Sequence, residues 1–462
     1  MKHAYIQHCG APRLIVIFAG WGMDERPFAH LSRPGYDIMA VWDYRTLDFD
    51  PEWTAGYAEV CVLAWSMGVH AAQMCHSALG PRVTARIAVG GTPHPVHDRA
   101  GIPVDIFTAT LHGLDDRSLE RFMRRMCGGA RAYAEFAPMR PQRPVDELRD
   151  ELRAIGLRSD GSPAEPRFDH YLLTARDAIF PPEAQRLAFR DCDIVEIDSP
   201  HLPPFQDILD GYFIDKTLVA ERFNNARTTY DAHAEAQALI ADYLANLLHD
   251  TDTRAILASG HAEVLEVGCG TGLLSRRILD MKPAARMTYW DIASEAPECI
   301  DAARYTSCDA ETAIRSVPTA SLDMIVSAST AQWFNSPERF VAEAMRTLRP
   351  GGILAMSTFG PANMQETAEA SGHRLHLAAS SVWREAVAGI PDTEQVLITE
   401  FAIKCRFCEA MDALRHMSRT GVNAITRHPN GARAIASRLA PDSSGRYTLT
   451  YTPLFLVLRK KP

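Results

Sequence analysis

The chain contains no apolar run of the roughly 18 residues that a membrane-spanning helix requires. The N-terminal segment also lacks the apolar core of a signal peptide, because His8, Cys9 and Pro12 interrupt it. Both absences argue against export and against membrane insertion. We therefore expect a cytoplasmic protein that does not associate with a membrane.

An excess of positive charge is missing as well. The formal net charge is −9, which argues against a broad nucleic-acid interface but leaves room for a local basic face. The ten cysteines are scattered, and without a signal peptide they predict free thiols in a reducing compartment. Cys405 and Cys408 form a CxxC motif with no second pair, so we favour two half-buried thiols over a metal or redox site. No metal cofactor is expected.

The sequence does have the composition of a folded globular protein, with 47% hydrophobic and 23% charged residues. Its 462 residues exceed what one ordinary core holds, so two domains are expected. Short apolar runs alternate with helical patterns in both halves, which favours parallel, doubly wound α/β folds. The predicted strands are residues 14–19, 60–64, 87–91, 170–174 and 194–197, then 264–267, 287–290, 324–328 and 353–357, with 396–403 and 454–458 as an antiparallel pair.

The domain boundary is predicted near residue 218, which gives domains 1–218 and 219–462. Residues 223–248 form one long helical pattern just beyond it. Between the early and late strands of the first half lies a helical segment, residues 103–166, in the position of a lid. In it, apolar residues at helical spacing face one side and arginines the other: Leu119, Phe122, Met123 and Met126, against Arg121, Arg124 and Arg125.

Ser66 is the candidate nucleophile of the first half. It lies in the run Ala-Trp-Ser-Met-Gly at residues 64–68, directly after a predicted strand, and such a strand–turn–helix context is typical of a nucleophile elbow. A buried serine in an ordinary turn is the alternative. Asp177 and His201 follow later strands, in the chain order Ser, acid, His of an α/β-hydrolase. The acid position has three competitors, Asp169, Asp191 and Asp198, but the strand-to-turn placement favours Asp177.

An oxyanion hole is predicted from the run Phe-Ala-Gly-Trp-Gly-Met at residues 18–23, with the backbone N–H groups of Trp21 and Met67 as donors. This run, the elbow and the Asp177 and His201 loops together resemble the BioG-type pimeloyl-ACP methyl ester esterases, over residues 10–210. The resemblance implies an α/β-hydrolase with a helical lid that cleaves the methyl ester of pimeloyl-acyl-carrier protein in biotin synthesis.

The lid arginines gain a possible role from that resemblance. Acyl-carrier proteins are acidic and carry a phosphate on their prosthetic arm, and guanidinium groups suit both. Arg121, Arg124 and Arg125 are therefore expected to dock the carrier. A solvated helix face is the alternative.

The second half carries a glycine-rich loop after the strand at 264–267, with Gly268, Gly270 and Gly272. Alone, it is compatible with a dinucleotide site. Three acids favour S-adenosylmethionine instead: Glu266 before the glycines, Asp291 at the end of the next strand for the ribose hydroxyls, and Asp309 after the following one for the adenine amino group.

Further motifs of this half resemble the BioC-type malonyl-ACP O-methyltransferases over residues 220–460, a Rossmann-like class I fold. They are Phe-Asn-Asn-Ala (223–226), Tyr230 with Asp231, Gln237, Ser-Thr-Ala-Gln-Trp (329–333), Leu-Arg-Pro-Gly-Gly (348–352), Ser-Thr-Phe-Gly (357–360) and Arg-Thr-Gly-Val-Asn (419–423). Tyr230, Gln332 and Trp333 are candidates for holding the substrate carboxylate, with packing roles as the alternative. Arg374 and Arg384 are candidates for pairing with the carboxylate or the carrier.

Together the resemblances imply a bifunctional enzyme of biotin synthesis. The second half would methylate the free carboxylate of malonyl-ACP, and the first half would later hydrolyse pimeloyl-ACP methyl ester by a Ser-His-Asp mechanism. Two alternatives stay open: a generic carboxylesterase fused to an unrelated small-molecule methyltransferase, or a chain in which one half is a non-catalytic binding module.

Overall fold

The computed structural model describes residues 1–159, 168–190, 192, 194–371, 375–422 and 432–462. Four predicted features lie outside these residues: the end of the segment 103–166, Asp191, Arg374, and Asn423 of the motif 419–423. The chain divides into two units, Met1–Leu209 and Asp210–Pro462. The boundary predicted near 218 lies a few residues later, inside a helix of the second unit, Lys216–His233.

The first unit is built on a seven-stranded sheet. Its strands are β1 (Lys2–Gln7), β2 (Arg13–Phe18), β3 (Tyr36–Trp42), β4 (Glu59–Trp65), β5 (Val83–Val89), β6 (His170–Thr174) and β7 (Ile194–Ile197). The order is β1-β3-β2-β4-β5-β6-β7, and every neighbouring pair is parallel except β1 with β3. All five strands predicted in this half are confirmed, whereas β1 and β3 were not predicted.

The helices of the first unit are α1 (Glu52–Ala55), α2 (Met67–Met74), α3 (Val104–His112), α4 (Asp116–Met126), α5 (Ala130–Phe136), α6 (Val145–Arg158), α7 (Pro182–Ala188) and α8 (Phe205–Tyr212), the last of which crosses into the second unit. Helices α3 to α6 occupy the described part of segment 103–166. Helix α4 is amphipathic as predicted: Met123 and Met126 are buried, and Arg121, Arg124 and Arg125 are exposed.

The second unit has a seven-stranded Rossmann-like sheet and a separate two-stranded one. Its strands are β8 (Glu263–Val267), β9 (Arg286–Asp291), β10 (Tyr305–Ser307), β11 (Leu322–Ser327), β12 (Leu348–Phe359), β13 (Thr393–Glu400), β14 (Ile403–Phe407), β15 (Tyr447–Tyr451) and β16 (Pro453–Lys460). The large sheet runs β10-β9-β8-β11-β12-β16-β13, with β16 antiparallel to both of its neighbours. The predicted antiparallel pair is therefore confirmed as β13 and β16. Residue 403, predicted to continue the first of these strands, instead begins β14, which pairs with β15.

The helices of the second unit are α9 (Lys216–His233), α10 (Glu235–Leu247), α11 (Thr251–Ala258), α12 (Leu273–Asp280), α13 (Ala310–Ala313), α14 (Pro337–Thr347), α15 (Gln365–Ser371), α16 (Ser380–Ala388), α17 (Ala410–Arg419) and α18 (Ala432–Ala436). The prediction of one helix over 223–248 is wrong. The backbone leaves the helical region at the buried Ala234 (φ −88°, ψ 44°), so α9 and α10 meet there. Among the described helices, none is long and apolar enough to cross a membrane.

Two candidate active sites

Ser66 lies in a sharp turn between β4 and α2. Its backbone has φ 60° and ψ −128°, a strained conformation for a residue with a side chain. Two glycines make this turn possible. A Cβ added at Gly68 would lie 2.3 Å from the carbonyl oxygen of Phe18, and one added at Gly91 would lie 2.1 Å from that of Ser66 itself. The turn thus needs glycine at both positions.

The predicted triad is assembled in the structure. The Nε2 atom of His201 lies 2.8 Å from Ser66 Oγ, and its Nδ1 atom lies 2.7 Å from Asp177 Oδ2. All three side chains are buried. The other carboxylate oxygen of Asp177 accepts the backbone N–H groups of Ile179 (2.7 Å) and Phe180 (2.9 Å). The carboxylate is therefore held in place independently of the histidine.

Three side chains that support the triad were not anticipated from sequence. Thr174 Oγ1 donates to Asp177 Oδ2 at 2.6 Å, and Gln185 Nε2 donates to the same oxygen at 3.2 Å. The indole N–H of Trp65 donates to the carbonyl oxygen of His201 at 2.8 Å. Trp65 directly precedes Ser66, whereas Thr174 and Gln185 belong to no motif that would single them out.

The competing acids are engaged elsewhere. Asp169 Oδ2 accepts the backbone N–H of Arg86 at 2.7 Å. Asp198 forms an exposed ion pair with Arg176, whose Nε atom is 2.6 Å from Asp198 Oδ1. Neither carboxylate is the partner of His201, a position that Asp177 occupies.

The glycine-rich loop after β2 lies against Ser66. A Cβ added at Gly20 would lie 3.1 Å from the Cβ of Ser66. Trp21 is buried, and its indole N–H donates to the carbonyl oxygen of Leu148 in α6 at 3.0 Å. Met67 is the first residue of α2, so its backbone N–H has no acceptor within the helix.

A buried ion pair holds α6 against this loop. Arg143 donates from Nη1 to Glu151 Oε2 at 2.7 Å and to the carbonyl oxygen of Met23 at 3.3 Å. Burial raises the pKa of Glu151, an effect that the Arg143 guanidinium opposes. The backbone N–H of Tyr44 donates to the other oxygen of Glu151 at 2.7 Å. The loop and α6 are therefore tied together by both side-chain and backbone groups.

The second unit contains a cavity, here called the donor cavity, of about 1020 Å³ including space open to solvent. Its lining includes Glu266, Gly268, Gly270, Asp291 and Asp309 among the predicted cofactor residues. All three predicted glycines have positive φ, as the close turns require. Gly272 caps α12, where an added Cβ would lie 2.4 Å from Cys299 Sγ.

The acids of the donor cavity lie in different surroundings. Asp291 accepts the backbone N–H of Gly270 at 2.7 Å, yet burial raises its pKa. Burial also raises the pKa of Glu266 to about 8, and its Oε2 atom accepts no hydrogen bond from any described residue. Asp309 is paired with Lys216, whose Nζ atom lies 3.2 Å from Oδ1 and 3.0 Å from Glu311 Oε2.

A second cavity, the acceptor pocket, encloses about 720 Å³ including space open to solvent. Five residues line both cavities: Phe223, Tyr230, Gln237, Ser329 and Trp333. Gln332 lines the acceptor pocket. Within the described part of the chain, four buried polar atoms of this wall make no hydrogen bond: Gln237 Oε1, Ser329 Oγ, Gln332 Oε1 and Trp333 Nε1. Since buried polar groups are normally paired, the wall suits a polar ligand.

Comparison with known proteins agrees with this division. Residues 1–207 match the family model of the pimeloyl-ACP methyl esterase BioG, and residues 265–356 match that of a methyltransferase domain. The malonyl-[acyl-carrier protein] O-methyltransferase of Bacteroides fragilis is 33% identical, over 97% of this chain and 93% of that protein. The chain belongs to the malonyl-[acyl-carrier protein] O-methyltransferase family.

Other proteins of the same name match about half of the chain. The enzyme of that name from Haemophilus ducreyi is 30% identical, over 53% of this chain and 97% of its own length. For the first unit, the crystal structure of BioG from Haemophilus influenzae is 32% identical and covers 44% of this chain and 94% of that protein, with a TM-score of 0.39. The two family models show that the chain combines a BioG domain with a methyltransferase domain.

The described arginines that were predicted to contact a carrier or a substrate have no distinctive surroundings in this methyltransferase-family chain. Arg121, Arg124 and Arg125 are exposed on α4, and Arg124 pairs locally with Glu120 at 2.7 Å. Arg384 donates to the carbonyl oxygen of Ile398 at 2.9 Å. Among the described residues, no group of three or more His, Cys, Asp or Glu side chains is arranged to hold a metal ion. The CxxC thiols are free; Cys405 is half-buried as predicted, but the prediction is wrong for Cys408, which is exposed.

Proposed function

We propose that the chain is a bifunctional enzyme of biotin synthesis that makes one methyl ester and cleaves another. The second unit methylates the free carboxylate of a malonyl group carried by an acyl-carrier protein. The first unit, an α/β-hydrolase with helices α3 to α6 as its lid, hydrolyses pimeloyl-carrier methyl ester to the acid and methanol. The observation that carries the proposal is the assembled triad in a chain of the malonyl-carrier methyltransferase family.

In the hydrolytic step, His201 takes the proton of Ser66 as Oγ attacks the ester carbonyl carbon. The backbone N–H groups of Trp21 and Met67 are proposed to receive the charge that develops on the carbonyl oxygen. His201 then returns the proton to the departing methoxide, which leaves as methanol. A water molecule, deprotonated by the same histidine, cleaves the acyl-enzyme. Asp177 stabilises the imidazolium in both halves of the reaction.

The donor cavity fits S-adenosylmethionine, which supplies an electrophilic methyl group when bound. Glu266 offers an unpaired buried carboxylate oxygen, and Asp291 offers a carboxylate for the ribose hydroxyls. Gly268 and Gly270 permit close approach of the ligand to the backbone. Asp309, proposed to accept from the adenine amino group, must share its carboxylate with Lys216.

The acceptor pocket is proposed to hold the malonyl carboxylate beside the donor cavity. A carboxylate is already anionic, so its methylation needs orientation and removal of water rather than a general base. The unpaired indole N–H of Trp333 and the amide of Gln332 can orient the carboxylate oxygens, with Tyr230 on the shared wall. Methylation would hide a charge that apolar elongation pockets disfavour.

Two substitutions in the full chain test whether the sites are separate. We expect Ser66→Ala to abolish methanol release from pimeloyl-carrier methyl ester and to leave methyl transfer to malonyl-carrier unchanged. Asp291→Ala should weaken S-adenosylmethionine binding and leave hydrolysis unchanged. The exposed Ser77→Ala and Asp280→Ala serve as matched controls. Loss of both activities from either site variant would refute independent sites.

Substrate comparison separates the proposal from a generic esterase fused to an unrelated methyltransferase. Under the proposal, carrier-bound pimeloyl methyl ester is hydrolysed with a much higher kcat/KM than free short methyl esters, and malonyl-carrier is methylated in preference to free small acids. Equal efficiency on free and carrier-bound substrates would favour the generic pair. Absence of either activity from the intact chain would make that unit a binding module.

A further inference from the structure

A groove on the second unit is lined by exposed cations. It runs between β14 and α17 and is called here the basic groove. Lys404 and Arg406 come from β14, Arg415 and Arg419 lie one helical turn apart on α17, and Arg446 precedes β15. The five positive charges therefore come from three separate stretches of chain that the fold brings together.

Acidic residues only partly neutralise the basic groove. Glu235 and Asp412 are the carboxylates of its lining, and Asp412 pairs with Arg415. Arg406 lies 3.8 Å from Asp442, a loose ion pair. The groove thus retains net positive charge in a chain whose formal net charge is −9. Such local reversal of the overall charge favours an acidic partner at this surface.

The basic groove shares a wall with the acceptor pocket. His416 lines the groove, and its Nε2 atom lies 2.8 Å from the hydroxyl oxygen of Tyr451, which lines the pocket. The end of α17 makes a second link: Arg419 lines the groove, whereas Val422 lines the pocket. Between them, Gly421 has φ +67°, and an added Cβ would lie 3.1 Å from the ring of Phe223. A ligand bound by the cations is therefore adjacent to the acceptor.

We propose that the basic groove docks the acidic acyl-carrier protein during methyl transfer. The inference rests on the proposed function of the second unit and adds the surface that this unit uses. Guanidinium groups bind the carboxylates of an acidic protein and the phosphate of its prosthetic arm. These cations belong to the second unit, whereas the α4 arginines that are expected to dock the carrier belong to the first.

The test reverses three groove charges in the full chain, Arg406→Glu, Arg419→Glu and Arg446→Glu together. A matched control reverses three exposed cations elsewhere on the same unit, Arg254→Glu, Lys282→Glu and Arg286→Glu. Initial rates of methyl transfer are measured with malonyl-carrier protein and with malonyl-pantetheine, which lacks both carrier and phosphate. We expect the groove variant to raise KM for malonyl-carrier about tenfold or more, with KM for malonyl-pantetheine unchanged.

Three results would overturn the docking surface. The control variant could raise KM as much as the groove variant does, the groove variant could raise KM equally for malonyl-pantetheine, or the groove variant could leave KM for malonyl-carrier unchanged. If the native chain methylates no malonyl-carrier, the proposed function fails, and titration calorimetry still decides the docking question. In that case the groove variant should bind one carrier fewer per chain than the native and control chains. An unchanged number, or preferential binding of a single-stranded oligonucleotide at the groove, would refute the inference.

Discussion

The hydrogen bond between Asp177 and His201 determines which imidazole nitrogen is left unprotonated toward Ser66. Because Asp177 Oδ2 accepts a hydrogen bond from Nδ1, the histidine carries its proton on Nδ1 and presents an unprotonated Nε2 to the serine hydroxyl. Two backbone N–H groups occupy the other carboxylate oxygen, so the acid cannot rotate away without losing both bonds. Residues far apart in sequence thus define one tautomer.

Replacing that carboxylate with an amide tests the assignment. Asp177→Asn keeps the shape but can present an N–H to Nδ1, which would stabilise the wrong tautomer. We expect kcat for hydrolysis of a carrier-bound methyl ester to fall by about 10⁴-fold, with methyl transfer unchanged. Asp198→Asn, in the exposed pair with Arg176, is the control. A loss of similar size in the control would assign the catalytic acid to Asp198 instead.

The raised pKa of Glu266 predicts how the free energy of unfolding depends on pH. Its pKa is raised on folding from the ordinary value near 4.5 to about 8, mainly by burial. The folded chain therefore holds this proton more tightly, and the free energy of unfolding falls as pH rises through the window between those values. Glu266→Gln removes this pH-dependent loss. The variant without cofactor should be more stable than the native chain at pH 9, by a few kcal/mol, and nearly equal at acid pH.

Urea unfolding of the second unit at several pH values measures the difference. Glu298→Gln, at an exposed position, is the control and should follow the native curve. A Glu266→Gln chain whose stability changes with pH like the native chain would show that this carboxyl group ionises normally in the folded state. Weaker binding of S-adenosylmethionine by the same variant is a separate expectation.

Among the elements, α6 positions the glycine-rich loop through the buried pair of Arg143 and Glu151. Removing one member of a buried pair leaves an uncompensated charge, which typically costs about 3–5 kcal/mol. Arg143→Met should therefore destabilise the first unit by about that amount and slow hydrolysis, since Arg143 also holds Met23. Arg153→Met, in an exposed pair of the same helix, should cost less than about 1 kcal/mol.

The double variant Arg143→Met, Glu151→Leu distinguishes a charge effect from loss of packing. If the cost arises from the unpaired carboxylate, the double variant recovers much of the stability that Arg143→Met loses. Urea unfolding followed in the first unit measures it. Equal stability of the single and double variants would mean that the arginine acts through packing.

Helix α4 carries the surface proposed to dock the carrier for ester hydrolysis. Reversing Arg121, Arg124 and Arg125 to Glu should raise KM for a carrier-bound ester and leave a short free ester unaffected, because only the carrier contacts the helix surface. Because Arg124 already pairs with Glu120, we expect Arg121 and Arg125 to contribute more to binding of the carrier. Unchanged KM for the carrier-bound ester would leave these arginines as a solvated face.

Secondary structure could be predicted where apolar runs were continuous. Strands β2 and β4 are buried, apart from the half-buried Arg13, and were found. Strand β3 is buried throughout and was missed, although only Asp37, near its start, departs from an apolar pattern that continues over residues 38–42. That carboxylate is tolerated because it accepts the N–H groups of Cys9 and Ala11. Strand β1 is half-exposed and weakly patterned. The local sequence pattern cannot reveal that backbone N–H groups distant in the chain satisfy a buried carboxylate.

The site followed the same rule. Motif residues next to strand ends, such as Ser66 and Asp291, were predictable because the turn chemistry is local. The polar wall between the two cavities was predicted only in part, through Tyr230, Gln332 and Trp333. Gln237 was noted as part of a motif, but nothing in a single sequence shows that its side-chain carbonyl oxygen is left unpaired on a wall that Trp333 also lines. Pairing is a property of the assembled fold.

At the scale of the whole molecule, the two proposed activities oppose each other unless their substrates differ. An enzyme that methylates malonyl-carrier and then hydrolyses the same ester would consume S-adenosylmethionine without product. The proposed functions therefore require the first unit to reject the short ester. Helices α3 to α6 follow β5 and precede β6 in the chain, and α6 contacts the glycine-rich loop through the bond from Trp21 to Leu148. We therefore propose that these helices contact the acyl chain.

The size of this selectivity follows from the length of the acyl chain. A pimeloyl chain has four more methylenes than a malonyl chain, and each buried methylene contributes about 0.8 kcal/mol. If the lid buries them all, kcat/KM for the pimeloyl ester should exceed that for the malonyl ester by about two orders of magnitude. Incubation of the intact chain with malonyl-carrier and S-adenosylmethionine should then accumulate malonyl methyl ester to nearly the yield of the Ser66→Ala chain. A much lower yield from the intact chain, with release of methanol, would mean that Ser66 hydrolyses the short ester and that the two units cannot serve one pathway in this way.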